Sequence, residues 1–243
     1  MGGSCLAERL SHCIDLTDKE HAFLNRLEAE RREYRRGAVI VSEGQPTREL
    51  FIVQKGWLQS SILLGNGGRQ IMRIGLPGDL IGMTALAYEE APETVVALSD
   101  AVLCPFDRDR LPGQFSEHPR LAALMFGVLV AERTALADRL ASVGRTPARA
   151  RVAALLCDIF TRLRRMEGPQ TRGILVPLTQ EEIGDATGLT AVHVNRMIRG
   201  LVEDGIIERS GSVMRVLDET RLAEEASFVD RLAISTNWLP AGR

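Results

Sequence analysis

Between residues 37 and 106, short apolar runs alternate with glycine-bearing breaks. Val39-Ile40-Val41 and Leu50-Phe51-Ile52-Val53 are two of these runs, with glycines at 37, 44, 56, 65, 67, 68, 75, 78 and 82 around them. Gly65-Asn66-Gly67-Gly68, set between Ser61-Ile62-Leu63-Leu64 and Ile71-Met72-Arg73-Ile74, predicts a hairpin. Further strands are predicted at 94–98 and 101–106. Many short strands with turn glycines point to a small antiparallel barrel or jelly roll. The flanks read differently. Residues 5–36 read as helical, with Thr17 as N-cap before Asp18-Lys19-Glu20. Residues 119–143 form one long helical stretch in which Leu121, Leu124, Val128, Ala131, Ala135 and Asp138 fall at coiled-coil spacing. Met125, Leu129 and Leu136 widen that stripe, so that one face can meet a partner helix while the other roofs the barrel; a single buried helix in a monomer is the alternative, and the dimer is preferred. Thr146-Pro147 restarts a helix in the favoured N-cap and proline order, running through 152–163 to Gly168-Pro169. The fold class expected is α+β.

The pattern from 178 to 207 is the most informative. Thr179 with Glu182 makes a capping box that starts a short helix, Ile183 and Ala186 face inward, and Gly188 ends it in a left-handed turn. Thr190 caps a second helix with Val194, Met197, Ile198 and Leu201 on its apolar side. Two short helices around a tight glycine turn are a helix-turn-helix. The second helix leaves Ala191, Val192, His193, Asn195, Arg196 and Arg199 outward, and Arg196 can bond guanine in bidentate fashion in a major groove. Residues 206–208 and 213–216, turning at Ser210-Gly211-Ser212, predict a wing beside it. The partner expected is double-stranded DNA.

Composition adds exclusions. The chain has 243 residues, 45% hydrophobic and 26% charged, which is one or two ordinary soluble domains. A net charge of −2 gives nucleic-acid binding no support, so that case rests on motifs. Locally, Arg145, Arg149, Arg151, Arg162, Arg164 and Arg165 are opposed only by Asp158, as a solvated face or a phosphate-facing patch. The longest apolar run, 121–131, is short of the ~20 residues a bilayer needs. Residues 1–10 carry Glu8 and Arg9 and no apolar h-region, so a cytoplasmic protein without a membrane partner is expected. Cys5, Cys13, Cys104 and Cys157 then read as reduced thiols. No nucleophile elbow, Walker loop, zinc spacing or dinucleotide fingerprint is present, so the chain is not expected to be an enzyme. The other rival, a regulatory subunit acting on a protein partner, leaves the recognition helix and wing unexplained.

Together these segments resemble the CRP/FNR family of bacterial transcription regulators. Gly75-Leu-Pro-Gly-Asp-Leu-Ile-Gly82, Cys104-Pro-Phe-Asp107 and the 146–156 and 178–207 segments carry the likeness over nearly the whole chain. It implies a helical lead at 1–36, a cyclic-nucleotide-binding-like barrel at 37–112 and a dimerisation helix at 113–144. A winged helix-turn-helix at 145–220 and a tail at 221–243 follow. It also implies a homodimer on an inverted-repeat operator, Arg196 as the guanine reader, and Thr179, Gln180 and Thr190 on phosphates. Ser210, Gly211 and Ser212 would make the wing contact. The glutamate usual four residues before that arginine is replaced by Val192, which can pack on a thymine methyl, with His193 beside it either donating to DNA or packing. A cAMP site would need a glutamate after Gly82 and an Arg-Ser pair ten residues on; Met83 and Glu93-Thr94 stand there, so no cAMP binding is expected. Oxygen-sensing relatives hold an iron–sulfur cluster on three clustered cysteines and one in the barrel. Cys5, Cys13 and Cys104 lack that clustering, and a redox-responsive regulator using those three is the alternative. His12, His21, His118 and His193 show no haem-ligand pattern. An activator would meet RNA polymerase through residues 167–173.

Overall fold

The computed structural model describes residues 3–168 and 174–240 in two compact units. One comprises Met1–Ile62, Ile74–Arg133 and Leu232–Arg243; the other comprises Leu63–Arg73 and Thr134–Arg231.

In the first unit two four-stranded antiparallel sheets face each other. The strands are β1 (Arg32–Tyr34), β2 (Val39–Val41), β3 (Glu49–Lys55), β4 (Leu58–Leu63), β5 (Arg69–Gly75), β6 (Leu80–Ile81), β7 (Thr94–Ala97) and β8 (Ala101–Asp107). Their orders are β1-β8-β3-β6 and β2-β7-β4-β5. The period of two along a strand explains the unbroken apolar run in β3. Phe51 and Val53 join Val41, Leu58, Ile81, Val95 and Leu103 between the sheets. Leu50 and Ile52 point the other way, into a second core with Leu6, Leu10, Phe23, Leu24, Leu121 and Leu124. A strand buried on both faces cannot show polar alternation.

That second core is roofed by α1 (Cys5–Ser11), α2 (Asp18–Leu27), α3 (Leu111–Glu117) and the first half of α4 (Pro119–Arg145). The Thr17–Glu20 capping box forms, but α2 ends at Leu27. The helical reading to residue 36 is therefore corrected, because β1 pairs with β8 (Arg32↔Leu103, Tyr34↔Ala101). Local sequence does not reveal a partner some seventy residues away. Pro112 begins a helix instead of breaking one, since a first-turn position needs no amide hydrogen. The start of α1 is held by a buried carboxylate. Glu28 accepts from Ser4 Oγ (2.5 Å), the Cys5 amide (3.0 Å) and the Leu6 amide (3.0 Å), which satisfies amides that a helix start leaves unpaired.

The stripe on α4 needs a second correction. Leu121, Leu124, Met125 and Ala131 are buried in the chain's own core, with Val128 packed against it. The apolar residues left in solvent are Phe126 (66% exposed), Val130, Leu136 and Leu140 (74%). Phe126, Val130, Arg133, Ala137 and Leu140 follow one another at spacings of four, three, four and three, and all are exposed.

The second unit contains α5 (Ala148–Glu167), β9 (Ile174–Leu175), α6 (Gln180–Thr187), α7 (Ala191–Glu203), β10 (Ile207–Ser210), β11 (Val213–Val216) and α8 (Glu219–Ala226). α5 packs against α6, α7 and α8. Thr146 is not its cap: the Thr146 hydroxyl donates back to the Ser142 carbonyl at 2.8 Å, and Pro147 occupies the cap position. The last helix stops at Ala226, with Ser227 left-handed. Beyond it, Ile234 and Leu239 pack on the first unit's second core, and Thr236 Oγ1 donates to the Cys13 carbonyl at 3.3 Å. Trp238 is 56% exposed, and its indole Nε1 donates to the Ser235 carbonyl at 3.0 Å.

Candidate nucleic-acid interface

The two helices of the motif are each started by a hydroxyl. Thr179 accepts from the Glu182 amide at 3.1 Å while Glu182 Oε2 accepts from the Thr179 amide at 2.7 Å. Thr190 caps α7 through the His193 amide. Between them Gly188 is left-handed (φ 67°), which a side chain would strain, and the Leu189 amide closes the turn on the Gly184 carbonyl at 3.0 Å. Ile183, Ala186, Val194, Ile198 and Leu201 are buried and fix the two helices against each other.

What α7 leaves outside is the candidate reading surface. Val192 is 79% exposed, and His193, Arg196 and Arg199 are exposed, with Ala191 and Asn195 half-buried. Among the described residues neither Arg196 nor Arg199 has a carboxylate partner. His193 is not packed, because its Nδ1 lies 3.2 Å from Thr190 Oγ1 at the start of the helix. Thr179 is exposed and Gln180 half-buried at the first turn of α6, where amide hydrogens and the helix dipole favour a phosphate. The wing pairs Ile207↔Val216 through Ser210↔Val213 and exposes Ser210, Gly211 and Ser212 at its tip. A third strand, β9, adds to β11 through Leu175↔Val213; its two residues are too short a run to stand out in sequence.

Two stretches match known domain families. Residues 31–118 match the cyclic nucleotide-binding domain, and residues 150–225 match the Crp-like helix-turn-helix domain. The chain belongs to the CRP/FNR family. CRP/FNR proteins are DNA-binding transcription regulators and not enzymes. The transcriptional activator protein FnrL of Cereibacter sphaeroides is 28% identical over 233 residues, covering 92% of this chain and 91% of that protein. The transcriptional activatory protein AadR of Rhodopseudomonas palustris is 28% identical over 218 residues, covering 89% of each. Among solved structures, FixK2 of Bradyrhizobium japonicum superimposes with a TM-score of 0.74 at 25% identity, over 83% of this chain and 98% of that one.

The basic run of this CRP/FNR chain is engaged within its own unit. Arg149 pairs with Asp204 (2.5 Å) and Glu225 (3.2 Å), Arg162 with Asp158 (3.2 Å), Arg164 with Glu219 and Arg165 with Asp230. Arg151 donates to the Thr146 carbonyl at 2.9 Å, and Arg145 alone of the six is exposed. These arginines tie α5 to α7, α8 and the chain beyond, so the phosphate-facing alternative gives way. The segment 167–173, expected to meet RNA polymerase, lies outside the described residues from 169 to 173. No helix among the described residues is long and apolar enough to cross a membrane.

The thiols do not fit an iron–sulfur cluster. Cys5 is held with its Sγ 3.5 Å from the Gln54 carbonyl, and Cys104 Sγ is 3.7 Å from the Glu28 carbonyl. Cys13 sits under the C-terminal tail, through its carbonyl, and Cys157 is buried in α5. Among the described residues no group of three His, Cys, Asp or Glu is placed to hold a metal. Burial, with Glu28 adding to it, pushes both Cys5 and Cys104 up to about 11, and burial takes Cys157 to about 12. Without a metal beside them, these three side chains are neutral thiols at neutral pH and therefore poor nucleophiles. Alkylation of Cys5 by iodoacetamide is accordingly expected to rise about tenfold per pH unit between 7 and 9. A rise well short of tenfold between pH 8 and 9, read by mass spectrometry, would show an ordinary exposed thiol instead.

Proposed function

We propose that the chain works in the cytoplasm as a homodimer on an inverted-repeat duplex. One α7 enters the major groove of each half-site, the two about one helical turn (~34 Å) apart. The observation that carries this is the outward face of α7, where Arg196 and Arg199, without carboxylate partners among the described residues, follow an exposed valine and histidine. Arg196 bonds guanine, Val192 packs on a thymine methyl, and Thr179, Gln180, Thr190 and the wing tip Ser210-Gly211-Ser212 hold phosphates. The 4-3-4-3 stripe of α4 supports the dimer, since two such helices pair by burying it on each other.

The barrel's signal is not cAMP in this reading. Met83 opens a short 3₁₀ turn where a ribose-binding glutamate is needed, Glu93 stands where a phosphate would lie, and Thr94 Oγ1 is engaged with the Glu43 amide at 3.1 Å. A carboxylate against a phosphate is repulsive. Any other effector acts by shifting the population of states in which the two α7 helices are correctly spaced.

Selection from a random duplex library tests the whole reading. Wild-type protein is expected to enrich an inverted repeat whose binding cAMP leaves unchanged. Arg196→Ala costs ~1–3 kcal/mol at one base pair and relaxes the choice there. Equal loss on selected and random duplexes would make Arg196 a phosphate contact.

A further inference from the structure

The outer part of the β4–β5 hairpin, Leu63–Arg73, belongs to the same compact unit as the helix-turn-helix. It reaches the end of α6. Arg69 places Nε 2.9 Å and Nη2 2.6 Å from Asp185 Oδ2. Gln70 Nε2 donates to the main-chain carbonyl of Asp185 at 2.6 Å. Behind them Arg139 of α4 donates to the Met72 carbonyl at 2.8 Å and lies 3.7 Å from Asp158 of α5, so the hairpin arm is itself braced.

These contacts supply what α6 lacks. Asp185 sits in the last turn of an eight-residue helix, where a carboxylate meets the negative end of the helix dipole. The last four carbonyls of a helix also have no partner within it. Leu189 fills the Gly184 carbonyl from the turn, and Gln70 fills the next one from outside. The guanidinium of Arg69 offsets the misplaced charge. That helix end runs through Gly188 into Thr190, where α7 begins.

We propose that Arg69 and Gln70 are positioning residues for DNA recognition: the hairpin caps α6 from outside and fixes the turn that aims α7. This rests on α7 reading DNA as described above. Nothing in the 65–68 turn signals it, because the contact joins residues 116 positions apart.

A charge swap in the full chain tests it. Wild type, Arg69→Asp, Asp185→Arg and the double swap are titrated against the duplex that wild type selects and against a random duplex of equal length. Each single variant is expected to lose at least about fivefold on the selected duplex alone, the lower end of typical coupling between sites. The double swap restores most of it. Net charge by itself predicts otherwise, since Asp185→Arg adds positive charge and would tighten both duplexes. That tightening, or a double variant no better than the weaker single one, overturns the proposal. Arg69→Gln, which removes the charge and the guanidinium's reach but keeps a polar side chain, gives a smaller loss in the same direction and serves if a swap variant does not fold. If wild type selects no sequence, the DNA-reading assignment falls and this one with it. If Arg196→Ala loses specificity while the swap variants bind as wild type, only the cap is wrong.

Discussion

Gly184→Ala is expected to abolish sequence-specific DNA binding. A Cβ at that position would stand 2.4 Å from the Leu189 carbonyl oxygen and 3.4 Å from its carbon. Both sides of the contact are main chain, so no side chain can swing aside, and α6 must move away from the turn. Overpacking a well-fitted site typically costs about 1–3 kcal/mol, and a backbone-to-backbone clash belongs at the upper end. The same displacement breaks the Leu189-to-Gly184 hydrogen bond that closes the turn. Hydrogen exchange should accelerate across α6 and α7 while β3 and β8 keep their protection. Wild-type exchange and wild-type operator affinity in the variant would show that the helices tolerate the opening.

The second large effect concerns assembly. Phe126→Glu with Leu140→Glu is expected to yield a folded monomer at micromolar concentration. Both side chains are mostly solvent-exposed within one chain, so their replacement removes little intrachain burial. In a dimer each appears twice, and burying a large apolar side chain is worth roughly 1.5–3 kcal/mol, giving about 3–6 kcal/mol for each position. Two charges in a seam add desolvation cost. Sedimentation velocity distinguishes the outcomes: an unchanged dimer would mean that another surface joins the copies. Leu124→Glu offers the contrast. Leu124 is fully buried in the second core, and its replacement should unfold the first unit instead of dissociating two intact chains.

The register of that seam shows where sequence reading stops. A helix with apolar residues on two faces offers two heptad frames, and spacing alone does not say which one the chain's own core takes. Leu121, Leu124 and Ala131 were the regular choice, and the barrel-side core claimed them; Phe126, Val130 and Leu140 fell to solvent. The helix-turn-helix was legible for the opposite reason. Its capping box at Thr179, N-cap at Thr190, left-handed glycine and apolar positions are all local, set by residues three or four apart, and both caps recur in the structure at the expected atoms. The strands 39–41, 50–53, 71–74 and 101–106 were legible as apolar runs between turns, whereas β1 and β9 depend on distant partners. The arginine run was visible as charge, but Asp204, Glu219, Glu225 and Asp230, which engage it, lie 55–76 positions further along the chain than the arginines of α5 that they bind, beyond any local window.

The placement of the two tryptophans makes the molecule its own optical reporter. Trp57 is buried at 9% exposure beside the barrel strands, and Trp238 stands in the tail segment after Leu232; both belong to the first unit, and none lies in the unit that holds α7. Intrinsic emission therefore has two components, a blue-shifted one from Trp57 and a water-exposed one from Trp238. Neither fluorophore belongs to the reading helix, so a change in the buried component on adding a duplex would record communication through the protein and not quenching by a base. Phenylalanine at position 238 would leave that single internal channel, with no dye attached.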